Sequence, residues 1–404
     1  MTTETAPDRA AWARAMSDPA AFAHEQAQLG QVWTLLGLTT DIPNDNDWFR
    51  ATLGGRSVFV QRFGDAIKGF ENVCRHRFFP LRTRDRGNGV IRCGYHHWQY
   101  NKDGLAVGIP HCQELFGMTP RDLGARLTPV EIATCGMAIF GRFAAPDATE
   151  TLEDNLGDGY PIVQALCNRT APPHRLTIRP KANWRALFHI GLDDYHLVAV
   201  HPRTFGKDGY LKQDTVHYFR LGKHSAYFNG TEKDAISGMI AQCRDGTYRP
   251  YGYRIFQFFP NLSIVQLRAL KSWYILLMQY IAVAPDRTEV RIWFYPAPFP
   301  ATDRSRLDSL LRRYLEFWTP PFLWAYVRRV IREDAGACER GQTVAHQIDG
   351  LPILGLQEER IAWFEETYAE AMQAAPLPRM ASGIADSGGR VAFAARGAAQ
   401  NSGG

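Results

Sequence analysis

Hydrophobic and polar positions along this chain change period several times, and each change predicts an element. Residues 10–38 repeat alanine and larger apolar residues at helical spacing, which predicts a helical lead-in packed on a later domain. Between residues 47 and 144 the pattern shortens into β-rich runs such as Ser57-Val58-Phe59-Val60-Gln61 and Gly136-Met137-Ala138-Ile139-Phe140, with turn signals at Gly87-Asn88-Gly89 and Lys102-Asp103-Gly104. Residues 145–150 read as a linker. A strand at 176–179 leads into a helix that starts near Asn183 and runs through Asp193, His196 and His201. Runs rich in aromatic and branched residues follow at 216–221, 253–259, 262–267, 273–282 and 289–295, punctuated by Pro260-Asn261 and Pro285-Asp286-Arg287, and these predict an antiparallel sheet. Helical periodicity returns at 305–317, 321–346 and 357–373, and beyond Pro376 the composition of Ala, Gly and Ser predicts a disordered tail. The fold class is therefore α+β: a lead-in (1–42), a small all-β domain (43–150), a larger domain of antiparallel sheet and long helices (151–375) and a tail (376–404).

Composition narrows the functions available. The chain has 404 residues, is 45% hydrophobic and carries a formal charge of +5, enough core for several domains and too little charge for a nucleic-acid stripe. The longest apolar stretch, around Trp273 to Met278, is too short to span a bilayer, and the first residues lack the layout of a signal peptide. An odd number of cysteines, 7, fits a reducing compartment, so the expectation is a soluble cytoplasmic protein. Arg75, Arg77, Arg82, Arg84, Arg86 and Arg92 crowd one region and suggest a docking face for an acidic partner.

The chemistry begins there. Cys74-Arg75-His76 and Cys93-Gly94-Tyr95-His96 each supply one thiolate and one imidazole. Structural zinc fingers usually pair like ligands within each knuckle, C-x2–4-C then H-x3–5-H, whereas this order is the ligand set of a Rieske [2Fe–2S] cluster, two cysteines on one iron and two histidines on the other. Downstream, His196 and His201 lie among apolar residues, and two histidines with one carboxylate leave open positions on Fe(II). Five residues on an ideal helix turn the side chains roughly 140° apart, so convergence requires a π-bulge or a broken turn. Asp334 is the best carboxylate: it shares one helical stripe with Val327, Val330, Ile331 and Cys338, where an unpaired charge would be costly, while Glu333 lies off that stripe.

With the cluster pattern, the Asn183-Trp184-Arg185 entry, Asp193, His196, His201 and the Glu333-Asp334 pair in chain order, the sequence resembles the oxygenase α subunits of Rieske non-haem iron oxygenases over roughly residues 33–372. The resemblance implies an all-β Rieske domain followed by a helix-grip catalytic domain. It implies Cys74, His76, Cys93 and His96 on the cluster and His196, His201 and Asp334 on the iron. It also implies that Asp193 links the two metals across a subunit interface, in a homotrimer or a trimer paired with β subunits. Two positions depart from many relatives: His97, where glycine is common, and His189-Ile190, where Glu-Asn is common. His189 and Phe258 are candidate substrate-pocket residues, with Phe228, Phe256, Phe259 and Trp273 as aromatic company.

The implied reaction is reductive O2 activation on a small-molecule substrate. No Gly-rich dinucleotide fingerprint follows a strand, so NAD(P)H enters only through a partner reductase, directly or by way of a ferredoxin. Hydroxylation of an aromatic ring is the expected outcome. The alternatives are a monooxygenase acting on an alkyl or methyl carbon, including N- or O-demethylation, and, from another class, an electron carrier or redox sensor.

Overall fold

The computed structural model describes residues 14–145, 148–170, 172–204, 215–230, 235–269, 272–297, 306–348 and 350–372; the predicted tail lies outside them. After helix α1 (Pro19–Leu29) comes a seven-stranded antiparallel sheet in the order β1-β10-β9-β4-β3-β2-β5. Its strands are β1 (Thr34–Leu38), β2 (Asp47–Leu53), β3 (Arg56–Phe63), β4 (Ala66–Glu71), β5 (Arg86–Asn88), β9 (Pro129–Cys135) and β10 (Ala138–Arg142). A three-stranded sheet of β6 (Ile91–Arg92), β7 (Gln99–Tyr100) and β8 (Ala106–Gly108) sits beside it, followed by the short helices α2 (Cys112–Phe116) and α3 (Pro120–Leu123).

Helices α4 (Leu152–Leu156) and α5 (Tyr160–Leu166) lead to a second seven-stranded antiparallel sheet, ordered β11-β17-β16-β15-β14-β13-β12. It comprises β11 (His174–Ile178), β12 (Val216–Leu221), β13 (His224–Asn229), β14 (Tyr253–Phe258), β15 (Leu262–Ala269), β16 (Ser272–Ala284) and β17 (Arg287–Pro296). Helices α6 (Trp184–His189), α7 (Leu197–Val200), α8 (Ala235–Arg244), α9 (Arg306–Gln342) and α10 (Glu359–Ala371) complete the fold.

Both faces of the second sheet are buried, which is why its strands read as nearly continuous apolar runs. One face shares a core with the first sheet, where Phe256, Phe258, Ile264, Ile275 and Leu277 meet Leu35, Leu38 and Phe140. The other packs under α6, α9 and α10 through residues such as Val265, Leu276, Val327 and Phe364.

Three sequence expectations change. The lead-in helix ends at Gly30, and residues 34–38, expected as helix, form β1 paired to β10; every residue of β1 is buried, so no alternation marks it as a strand. The helix expected to run through His201 stops at His189. The helices expected at 305–317 and 321–346 form one element, which runs through Pro320 and Pro321 although each proline removes a backbone donor and crowds the preceding turn.

Candidate metal centres

Two loops of the all-β domain repeat one backbone design. Cys74 N donates to Phe79 O (2.8 Å) and Phe78 N to Cys74 O (3.0 Å); in the second loop Cys93 N donates to Trp98 O (2.9 Å) and His97 N to Cys93 O (3.1 Å). Each loop turns through a left-handed residue four places after its cysteine, Phe78 at φ 56° and His97 at φ 59°. That conformation favours glycine, so Phe78 and His97 hold it against the preference of a residue with a Cβ.

The loops bring Cys74, His76, Cys93 and His96 together over a core containing Phe59, Phe70, Leu81 and Trp98. The His76 and His96 ring centroids are 4.6 Å apart, and His76 stacks on Trp98 at 4.8 Å. Both sulfurs are buried, and the Tyr100 hydroxyl lies 3.1 Å from Cys74 Sγ while accepting from Arg75 N. Burial and the neighbouring Cys93 push the Cys74 thiol up, outweighing its contact with Tyr100; burial, His96 and Arg77 hold His76 down and neutral. Buried His76 Nδ1 has no hydrogen-bond partner among the described residues. A neutral imidazole nitrogen without a protein partner beside two enclosed sulfurs suits a metal cluster, which would supply the charge that lets the thiols ionise.

The second centre depends on the break after α6. Asn183 caps this helix, its side chain accepting from Arg185 N, and the helix then unwinds at Ile190. The Phe188 carbonyl accepts from Gly191 N (3.2 Å) and from Gln257 Nε2 (3.2 Å), and Gly191 O accepts from Arg360 Nη2 (2.9 Å). A side chain at Gly191 would put its Cβ 2.8 Å from Gln257 Nε2 and push aside the amide that makes this clamp. Tyr218 donates to Asp194 Oδ2 (2.8 Å) and Asp194 N to Gln357 O (3.3 Å), tying the loop to β12 and to the segment before α10. Asp194, easily read as a surface residue, is buried, and burial pushes its pKa up to about 6.

The loop re-forms as the single turn α7, and His201 leaves helical geometry at φ −115°. Ligand atoms of His196, His201 and Asp334 then lie within 4.8 Å of one another. His201 Nε2 is 2.8 Å and His196 Nε2 3.6 Å from Asp334 Oδ1. Each imidazole is held from behind by a second carboxylate: His196 Nδ1 is 3.2 Å from Asp193 Oδ2, and His201 Nδ1 is 2.9 Å from Glu333 Oε2. Asp193 Oδ1 also accepts from His196 N (3.3 Å). Burial lowers the His196 pKa, but bonds to Asp193 and Asp334 outweigh it and hold it up to about 9. Two histidines aimed at one carboxylate, each with its tautomer fixed by another, can hold a divalent iron and leave positions open.

A cavity of about 890 Å³ reaches His196, His201 and Asp334. Its floor consists of odd positions on β14 and β15, such as Tyr253, Ile255, Val265 and Leu267, and its roof comes from α9 through Tyr326, Val327 and Ile331. The expected pocket residues His189 and Phe258 do not line it. Phe258 has the wrong parity on β14 and packs into the core between the sheets, with Phe228 and Phe256. His189 faces α10, its Nε2 2.8 Å from buried Glu365. Phe259 joins the core under α10, and only Trp273 of the expected aromatic set reaches the cavity. Alternation in β14 and β16 carried the signal for the missed Tyr253 and Tyr280. Of the arginines near the cluster, Arg82 is buried and hydrogen-bonded to Gln61, Gly89 and Val90, which removes it from any docking face. Among the described residues no helix is long and apolar enough to cross a membrane.

Residues 32–121 match the Rieske [2Fe-2S] domain family, and residues 168–374 match the family described as ring hydroxylating alpha subunit (catalytic domain). The glycine betaine monooxygenase oxygenase subunit of Chromohalobacter salexigens is 26% identical over 68% of each chain. The carnitine monooxygenase oxygenase subunit of Escherichia coli is 29% identical over 47% of this chain, a match spanning only 51% of that relative. Among solved structures, a quaternary ammonium Rieske monooxygenase superposes with a TM-score of 0.68 at 18% identity, covering 89% of this chain and 94% of the other. Naphthalene 1,2-dioxygenase from Rhodococcus sp. superposes at 0.67 and 20% identity, covering 89% and 93%. Family matches over both halves, around a cluster fold and a two-histidine, one-carboxylate centre, establish that the chain belongs to the ring-hydroxylating α subunits of the Rieske non-haem iron oxygenases.

Proposed function

We propose that this chain is the terminal component of a monooxygenase that hydroxylates an alkyl carbon next to a cationic nitrogen, leading to N-dealkylation. The observation that carries the proposal is the cavity wall. Tyr227, Tyr251, Tyr253, Trp273, Tyr280 and Tyr326 line the space over the triad, with Asp193 and Asp194 at its edge. Aromatic faces attract a quaternary ammonium by about 0.5–2 kcal/mol each, and nearby carboxylates add to that field. The relatives named for glycine betaine and carnitine support the same reading.

In this proposal Cys74, His76, Cys93 and His96 hold the [2Fe–2S] cluster, and His196, His201 and Asp334 hold the mononuclear iron. When bound, these groups supply one-electron transfer and reductive activation of O2. Asp193 and Glu333 sit on the Nδ1 side of His196 and His201 and accept the proton there, so that with a metal bound each ring would turn an unprotonated Nε2 toward it. The apolar rows of β14 and β15 exclude water from the reacting carbon. Asp193 serves in addition as the link to the cluster of a neighbouring subunit in a homotrimer, with or without β subunits. Electrons come from NAD(P)H through a cytoplasmic reductase, with or without a ferredoxin.

Iron-loaded, chemically reduced protein incubated with 18O2 and a panel of N-methyl cations and arenes tests this. One 18O atom carried off in the released aldehyde, trapped before it exchanges with water, beside an unlabelled amine, supports the proposal. Two labelled atoms in a cis-diol support hydroxylation of an aromatic ring, the second reading, which the apolar rows beside the triad and the naphthalene dioxygenase fold favour. Electron transfer without oxygen consumption for any substrate would point to a carrier or redox sensor.

A further inference from the structure

A second large space, about 1060 Å³, lies away from the triad, where the two seven-stranded sheets approach each other. One wall comes from the cluster domain through β2 and the edge strand β5. The other comes from the edge strand β11 with its neighbour β17. Alternation sets the chemistry: Arg175 and Thr177 fall on one face of β11, with Arg179 just past its end, and Glu289 and Arg291 on the matching face of β17. Arg50 and Arg86 face them from the cluster domain.

Five arginines share three carboxylates here, and the sharing is uneven. Arg50 pairs with Asp85 at 3.0 Å, while Glu289 serves both Arg179 (3.0 Å) and Arg291 (2.8 Å). Arg86 and Arg175, one from each sheet edge, both point to the same atom, Asp41 Oδ1, each from 3.8 Å. That distance is beyond a hydrogen bond. The other oxygen of Asp41 is engaged by Leu38 N at 3.0 Å. Neither the Arg86 nor the Arg175 guanidinium donates a hydrogen bond to another described residue, so two planar forks converge on one point with their donors uncommitted. Burial and the like charges of Arg291 and Arg86 pull the Arg175 pKa down against the pull of Asp41, the mark of cationic crowding. Leu36, Phe49, Ala51 and Ile281 give the same cleft an apolar floor.

We propose that this cleft is a binding site for a dianionic oxyanion, a phosphate or the phosphoryl group of a small organic molecule, clamped between Arg86 of the cluster domain and Arg175 of the catalytic domain. Convergent guanidinium groups suit this ligand because each can offer two parallel N–H donors to two phosphoryl oxygens. A ligand bridging two sheet edges would also brace the two domains against each other.

The test uses the full-length, iron-loaded protein in a chloride buffer of constant ionic strength, titrated calorimetrically with inorganic phosphate and, separately, with phenyl phosphate. One saturable site per chain is expected, weakened roughly tenfold or more by Arg175→Gln and by Arg86→Gln, as loss of a charge-assisted pair requires. Phenyl phosphate binding tighter than phosphate by a similar factor means that the natural ligand carries an organic body on the apolar floor; equal binding means free phosphate. No saturable heat up to about 10 mM of either probe, or binding unchanged in both variants, overturns the proposal. Arg86 is exposed on an edge strand, so Arg86→Gln decides the matter if Arg175→Gln does not fold.

Discussion

Replacing Glu365 with Gln removes one negative charge from a place where nothing dissolved can replace it. Arg185 Nε lies 3.4 Å from Glu365 Oε1, with side-chain exposures of 0% and 3%, and His189 Nε2 is 2.8 Å from the same oxygen. The guanidinium also lies over the Tyr368 ring at 4.3 Å. Nearby, Glu25 accepts from Trp184 Nε1 (2.9 Å) and Tyr368 OH (2.7 Å). Breaking one side of a buried pair costs about 3–5 kcal/mol, because the remaining charge stays desolvated. For a cooperative unit of about 200 residues, at about 2–4 °C per kcal/mol, Glu365→Gln should lower the calorimetric Tm by roughly 10 °C. Replacing the pair together, as Arg185→Met with Glu365→Leu, should recover most of that loss. Burial raises the Glu365 pKa, but Arg185 and His189 outweigh it and hold the carboxyl below its usual value. Its contribution is therefore present above the unfolded pKa of about 4.3 and is lost as pH falls through the folded value, so wild type and variant should converge in acid. A Tm within about 2 °C of wild type at pH 7 would refute the reasoning.

Four further outcomes are expected. His224 is buried, with Nε2 2.9 Å from Asn155 O and Nδ1 accepting from Phe259 N, and burial pulls its pKa down to about 4. The unfolded chain takes up this proton below about 6.5 and the native state only near 4, so up to about 3 kcal/mol of stability should be lost between those values, and urea midpoints of His224→Gln should lack that part of the pH slope. Asp334→Ala should abolish mononuclear iron retention while leaving the visible absorption of the cluster unchanged, whereas Asp193→Asn should keep both metals and lower product formation at least a hundredfold in steady-state assays; full activity in the latter would exclude the bridging role. Arg360→Met, which removes the donor to Gly191 O, should weaken iron retention by roughly tenfold in equilibrium dialysis while the cluster absorption is unaltered.

The cluster loops were legible because all their information is local: each cysteine and histidine lies on one tight turn, and spacing along the chain translates directly into spacing in the fold. Asp334 was legible through helical periodicity, as an acidic residue on an apolar stripe. The break between His189 and His196 was inferable only as a requirement of the two histidines. What produces it comes from far along the chain, Gln257 on β14 and Arg360 on α10, and no local signal except Gly191 marks it. The pocket assignment failed on parity: in a sheet buried on both sides both faces of a strand carry large apolar residues, so composition does not say which face meets the cavity, and Phe258 and Tyr253 differ only in being even and odd. β1 was missed for the related reason that a strand covered on both faces has no polar rhythm.

Helix α9 has a consequence beyond supplying one ligand. Within about two turns it contributes Tyr326, Val327 and Ile331 to the cavity roof, then Glu333 behind His201, then Asp334 at the triad. Eight residues of helix, roughly 12 Å of nearly rigid rod, separate the first of these from the last. Whatever molecule lifts or tilts the roof therefore moves a prospective metal ligand and the group orienting another in the same stroke, so this rod works as a lever through which the contents of the cavity are felt at the metal.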